Sequence, residues 1–261
     1  MKIALLGSGN VATHLSKALI KAGYPVMQVW SRKENNAIDL ALQIGANSIS
    51  DCKEIKDSID VVILAVTDDA IENVASQIPQ KEGRLVLHTS GTTPLNVLEK
   101  YFDSCGVLYP LQTFSKTADL DFQTIPICIE ANNIKAENQL ELIAGKISSK
   151  VEKLDSPSRA ILHISAVFAC NFTNYFYSVA QELLEGVQLN FDLLRPLIQE
   201  TADKAMLNLP FEVQTGPAKR NDQLTMNKHL ALLKDNSYLQ GLYSSISQGI
   251  VKMYQPNLGG E

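Results

Sequence analysis

The chain has 261 residues, 45% hydrophobic, 20% charged and 7% aromatic, an ordinary globular composition that excludes disorder, collagen and a disulfide scaffold. A chain of this length buries ~70% or more of its unfolded surface, enough for a core without staples in one large domain or two modest ones. Lys and Arg number 23 against 28 Asp and Glu, a net charge of -5 and the wrong sign for a phosphate-backbone binder, so nucleic acid is not expected as a partner.

From the first strand, short apolar runs alternate with helical patterns. Strands are expected at Ile3 to Leu6, Val26 to Trp30, Val61 to Val66 and Leu85 to Leu87, with helical segments near 10 to 22, 35 to 45, 69 to 78 and 94 to 101. Continuous apolar strands are buried on both faces, which means a parallel sheet covered by helices. Runs at Gly106 to Tyr109, Ile125 to Ile129 and Val151 to Leu154 extend that sheet.

The pattern changes at Asp155-Ser156-Pro157, where Asp155 or Ser156 caps a helix whose first turn accepts proline. Helical periodicity then runs to about Glu185 and returns near 191 to 208, 223 to 234 and 236 to 254. The expected fold is therefore α/β: a doubly wound, mostly parallel amino-terminal sheet domain over 1–154 and an all-α domain over 155–261. The tail Pro256 to Glu261 is expected to fray. Cys52, Cys105, Cys128 and Cys170 form no C-x-x-C pair and read as reduced, packed thiols. No apolar run reaches ~18 residues and Met1-Lys2 leads straight into a strand, so the expectation is a cytoplasmic protein without a signal peptide or membrane span.

Gly7-Ser8-Gly9-Asn10-Val11-Ala12 has the form G-x-G-x-x-A, between the first strand and the first helix. Gly7 permits the tight turn, Gly9 lets backbone approach a pyrophosphate, and Ala12 allows close helix-on-strand packing. Amides at the helix start face the phosphates. At the end of the second strand, 22 positions past Gly9, an NAD site places an acidic residue for the ribose. Here stand Ser31, Arg32 and Lys33, a hydroxyl and two cations suited to a 2'-phosphate. The expected cofactor is NADP, with Ala65, Val66 and Thr67 at the next strand end beside it, Thr67 or Asp68 also standing as an N-cap.

His88-Thr89-Ser90-Gly91-Thr92-Thr93-Pro94 puts an imidazole and hydroxyls at a further strand end, where ligands bind in open α/β sheets; His88 also fits a strand-end histidine with a structural role. In the helical half, His163, Val167, Asn171 and Asn174 share a broad face, either bonded across a helix interface or turned to a ligand cleft. A second polar cluster runs from Thr215 to Asp222 and on to His229. No metal-ligand spacing appears.

Taken together, Gly7 to Leu15, Val29 to Arg32, His88 to Gly91, Tyr109 to Phe114, Val167 to Tyr175 and Thr215 to Leu230 resemble the Rossmann-like proteins with a carboxy-terminal DUF2520 domain. More distantly the chain is similar to β-hydroxyacid dehydrogenases, ketopantoate reductases, pyrroline-5-carboxylate reductases and F420-dependent NADP oxidoreductases. The resemblance implies an NADP-holding amino-terminal domain and a helical domain that closes the substrate cleft and forms a homodimer. The dehydrogenases carry D-x-S-T-x-x-P where this chain has His88 to Pro94, so Ser90 and Pro94 match and His88 and Gly91 depart. Their K-x-x-x-N on the next helix matches Cys170 to Asn174 in spacing, with Cys170 in place of the lysine. The expected activity is NADPH-dependent reduction of a small carbonyl or imine compound in the interdomain cleft. His88 or His229 supplies the proton, Arg220 holds a substrate carboxylate, and Asn171 and Ser90 orient the carbonyl oxygen. The competing reading is an NADP-binding redox sensor without catalysis.

Overall fold

A computed structural model of the chain describes residues 1–115 and 120–255; the tail from Pro256 lies outside them. In chain order the first part contains β1 (Ile3–Leu6), α1 (Asn10–Lys21), β2 (Val26–Trp30), α2 (Glu34–Ile44), β3 (Asn47–Ile49), β4 (Val61–Leu64), α3 (Ile71–Ala75), β5 (Leu85–His88), α4 (Asn96–Glu99), β6 (Cys105–Pro110), β7 (Ile127–Ala131), α5 (Ile134–Ile147) and β8 (Val151–Lys153). After these, every helix or strand among the described residues is helical: α6 (Ser156–Ala166), a π-helical turn over Val167–Phe172, α7 (Thr173–Glu185), α8 (Arg195–Leu207), α9 (Pro210–Val213), α10 (Gln223–Leu232) and α11 (Ser237–Tyr254).

The strands form one eight-stranded sheet in the order β3-β2-β1-β4-β5-β6-β7-β8. All neighbours are parallel except β6 and β7, which pair antiparallel from Gly106 opposite Ala131 to Pro110 opposite Ile127. Strands β1, β4 and β5 are fully buried, as their unbroken apolar runs require. One core layer puts Ile3, Leu5, Ile63 and Leu87 against α1, α2 and α5. The opposite face carries Leu6, Leu64, Val107 and Tyr109, with Leu162 of α6 packed against them.

The chain divides into two compact units, Met1–Tyr177 and Ser178–Glu261. Several expected elements differ in extent. The segments near 69 to 78 and 94 to 101 shrink to short pieces, with a 3-10 turn at Asp68–Ala70 preceding α3. Three elements escaped the periodicity. In β3 a single residue, Ile49, is buried; α5 is capped by Asn133, whose side chain accepts from Ala136 N; and α9 is one turn opened by Pro210. Of the cysteines, Cys52, Cys105 and Cys128 are buried as expected, whereas Cys170 is exposed, because the π turn presents it outward from the fold of this chain.

Candidate active site

Gly7 adopts φ +128°, and a Cβ placed there would meet the carbonyl oxygen of Ala65 at 2.1 Å. Only glycine fits, because backbone at the ends of β2 and β4 closes the β1–α1 turn from both sides: Gly7 N donates to Trp30 O, and Ala65 N donates to Leu6 O, each at 2.7 Å. Gly9 caps α1 without a side-chain bond, no acidic residue follows in the first turn, and a Cβ at Gly9 would meet nothing within 4 Å. Among the described residues the start of α1 thus has neither a side-chain cap nor an acidic first-turn residue, the arrangement that an anion completes.

A cleft of about 710 Å³ opens from this turn, walled by Gly7, Ser8, Gly9, Trp30, Ser31, Arg32, Lys33 and Ala65 to Thr67. Across its floor Ser8 Oγ lies 2.8 Å from Ser31 Oγ. Arg32 and Lys33 are exposed and are the cations on its wall. A phosphorylated ribose fits this set of hydroxyls and cations, and a pyrophosphate fits the helix start. Asn10, on the same helix start, donates from Nδ2 to Phe114 O at 2.7 Å. His14 Nε2 lies 2.7 Å from Ser115 O. The stretch after β6 is thereby tied to the start of α1.

The β5 end is built differently from a row of exposed polar groups. His88 is fully buried. Its Nδ1 accepts from Ser90 N at 3.2 Å, so the neutral ring carries its proton on Nε2, which has no hydrogen-bonding partner among the described residues. Burial and the nearby Arg159 guanidinium push its pKa down to about 3, against weaker opposing pulls from Asp68 and the Pro94 backbone. At neutral pH His88 is an uncharged donor. Ser90 Oγ accepts from the amides of Thr92 and Thr93 at 3.1 and 2.9 Å, which leaves its own hydrogen to donate. Thr92 Oγ1 donates to Asp68 Oδ2 at 2.5 Å, so Asp68 ties the ends of β4 and β5 together. Thr67 precedes the 3-10 turn without a side-chain cap bond.

Behind this loop, Arg159 of α6 is 1% exposed and pairs with Glu130 of β7. It also donates to Thr93 O at 2.6 Å. Ser156 closes the network by donating to Glu130, with Oγ 2.8 Å from Oε2. No motif marked Arg159 or Glu130, since neither spacing nor neighbours distinguish a buried ion pair from a helix-surface arginine. A second pair, Tyr109 Oη with His163 Nδ1 at 3.1 Å, packs on Gly91, where a Cβ would lie 2.6 Å from Nδ1. The Gly91 departure from the dehydrogenase motif was the available signal.

Asn171 is exposed in the π turn. Within the carboxy-terminal unit, Arg220 is exposed, and Asp222 caps α10 by accepting from Thr225 N and Oγ1. His229 Nδ1 lies 2.7 Å from Tyr243 Oη. Asp222 and His229 thus have separate partners. Among the described residues no cluster of three or more His, Cys, Asp or Glu could hold a metal ion, and no helix is long and apolar enough to cross a membrane.

Residues 2–91 match the family profile described as NADP oxidoreductase, coenzyme F420-dependent, and residues 125–250 match the domain of unknown function DUF2520. A candidate NADP oxidoreductase from Bacteroides fragilis is 39% identical over 96% of this chain and 98% of its own, with a TM-score of 0.88. Two further solved structures share the fold. A reductive aminase from Aspergillus terreus, in complex with a reduced NADP form, cyclohexanone and allyl amine, is 14% identical with a TM-score of 0.73, covering 100% of this chain and 95% of its own. A pyrroline-5-carboxylate reductase from Coxiella burnetii is 18% identical with a TM-score of 0.56, covering 97% of each chain. Among curated proteins, none matches in sequence.

Proposed function

Because the chain belongs to the NADP oxidoreductase family whose carboxy-terminal part is the DUF2520 domain, we propose that it is an NADPH-dependent reductase of a small carbonyl or imine compound. The observation that carries this reading is the cleft itself: an open helix start at Gly9, a Ser8–Ser31 hydroxyl pair, and Arg32 with Lys33 on one wall. NADPH, when bound, supplies the hydride; the chain's residues must hold the acceptor, exclude water and provide a proton.

Gly7 to Val11 would hold the pyrophosphate, Ser31, Arg32 and Lys33 the 2'-phosphate, and Ala65 to Thr67 with Ser90 the path toward the β5 end. The substrate domain of the proposal is 155–261, with the acceptor bound between the two halves. Arg220 would pair with a substrate carboxylate through its planar fork, Asn171 would orient the carbonyl oxygen, and His229 would line the same site. His88 enters as a neutral hydrogen-bond donor, because its burial disfavours the charged form that an acid needs. A homodimer formed by the helical halves and a cytoplasmic location belong to the same reading.

Calorimetry with NADPH and NADH tests the cofactor half of the proposal: NADPH binds more tightly, and Arg32→Ala removes most of the preference. Equal wild-type affinities would refute it. For the substrate half, Arg220→Ala and His229→Ala stay folded and bind NADPH, yet lose turnover in a panel of carbonyl and imine acceptors followed by NADPH oxidation. The sensor reading draws on Cys170, an exposed thiol where the related enzymes have a lysine. It predicts NADPH binding with no turnover across that panel.

A further inference from the structure

We propose that Tyr109 and His163 form the proton-delivering pair of this site, His163 Nε2 giving the proton and Tyr109 holding the ring. The proposal rests on the reductase reading above and supplies the acid which that reading lacks in the amino-terminal unit.

Placement is the first support. Strands β5 and β6 are parallel neighbours, so their carboxyl ends lie at one edge of the sheet. Tyr109 is the penultimate residue of β6 and packs on the same face as Leu6 and Leu64. His163 reaches that edge from α6. Both side chains pack against Gly91, at 2.9 Å from the Tyr109 ring carbon Cζ and 2.6 Å from His163 Nδ1 for a Cβ built there. The pair therefore occupies room that any side chain at position 91 would take. The strand order reverses between β1 and β4, and a dinucleotide held there would have Ser90 and Gly91, at the β5 end, on the same edge of the sheet.

Chemistry is the second. The amino-terminal unit contains His14, His88 and His163. His14 is buried with Nε2 on a backbone carbonyl, and His88 is enclosed and neutral. His163 is half-buried; its Nδ1 is engaged by Tyr109, and no described residue bonds its Nε2. Burial raises the Tyr109 pKa to about 12, so the phenol keeps its proton; in the imidazolium form of His163 both ring nitrogens carry hydrogen, and the Tyr109 oxygen then accepts from Nδ1–H. With Nδ1 engaged by Tyr109, Nε2–H is the ring donor left to reach an acceptor.

The step balances as follows. Hydride adds to the acceptor carbon, the π pair of C=O or C=N moves to oxygen or nitrogen, and the imidazolium Nε2–H of His163 protonates that atom. The product is an alcohol or amine with oxidised cofactor, and the neutral imidazole regains its proton from solvent.

The test uses the full-length protein, NADPH and the acceptor from the carbonyl and imine panel that wild type turns over fastest. His163→Gln is expected to keep wild-type NADPH affinity by calorimetry and to lower kcat about 10²-fold. Tyr109→Phe lowers kcat by a smaller factor with the KM for NADPH and the melting temperature unchanged, a split that loss of packing does not produce. Independently of turnover, the imidazole nitrogen resonances of His163 shift when NADPH is added to the wild type. Unshifted His163 resonances, or an unchanged kcat in His163→Gln, would overturn the proposal. If wild type binds NADPH but turns over no acceptor in the panel, the reductase reading falls and takes the pair's role with it. Should His163→Gln fail to fold, His163→Asn carries the same comparison.

Discussion

At the scale of single residues, the site departs most from a list of exposed polar groups at His88. Its ring is charged in the unfolded chain below about 6.5, the ordinary value, and in the folded chain it resists protonation until about 3. A depressed folded pKa on a histidine contributes stability that is complete above 6.5 and is lost as pH falls through that window, by up to about 1.4 kcal/mol per pH unit. The groups facing His88 are Arg159 from α6, which opposes its charge, and Asp68 from the β4 end, which favours it. Urea unfolding of wild type and His88→Gln between pH 7 and 4 is expected to show curves that converge toward acid; parallel curves would contradict the neutral, buried imidazole. The sequence placed His88 correctly at a strand end, since the continuous apolar run stops there, but burial was not legible. It depends on Arg159, 71 positions later, and on a helix that packs over the β5 loop. Gly7 was legible for the opposite reason: the close approach of Ala65 follows from a local motif between adjacent strands.

Among the elements, the π turn at Val167–Phe172 joins two α-helices without ending either. A π turn holds one more residue than an α turn, so the helix on each side keeps its own facing while the surplus residue is absorbed. Deleting Ala169 is therefore expected to leave circular dichroism and melting temperature close to wild type, the turn reverting to regular α-helix. Deleting Ala180 from α7 instead rotates everything after it by about 100° and lowers the melting temperature. Equal damage from both deletions would count against this account. Helical periodicity located the whole 156–185 segment but gave no sign of the extra residue, because aromatic and small side chains in Val167-Phe168-Ala169-Cys170 satisfy either period. Strand β3 was missed for want of apolar residues; its register comes from pairing Gln28 with Asn47 through Trp30 with Ile49.

For the whole molecule, the helical half leaves large apolar side chains in water. Met206 and Leu207 of α8 are 84% and 83% exposed and Leu232 of α10 is 82% exposed, more than scattered surface residues of a monomer account for. We expect a homodimer by light scattering at micromolar concentration, and Met206→Glu or Leu232→Glu shifts it toward monomer without altering NADPH affinity. A monomeric wild type would contradict the assignment. The same apolar runs were visible in the sequence as more hydrophobic surface than one small domain needs, whereas which residues stay uncovered depended on the packing of α8 and α10.

Trp30 closes β2, donates from its indole nitrogen to Ser50 O at 3.2 Å, and walls the cleft beside Arg32. It is also the one tryptophan in the chain. The protein therefore carries a built-in optical gauge: every photon of indole emission comes from a single known place, the cleft wall beside Ser31 and Arg32. Reduced nicotinamide absorbs where indole emits, so energy transfer reports occupancy of the cleft without any label. Because the same indole rests on the β2–β3 edge, loss of that edge during unfolding changes its emission too, and one fluorophore follows both the filling of the cleft and the integrity of the wall that makes it.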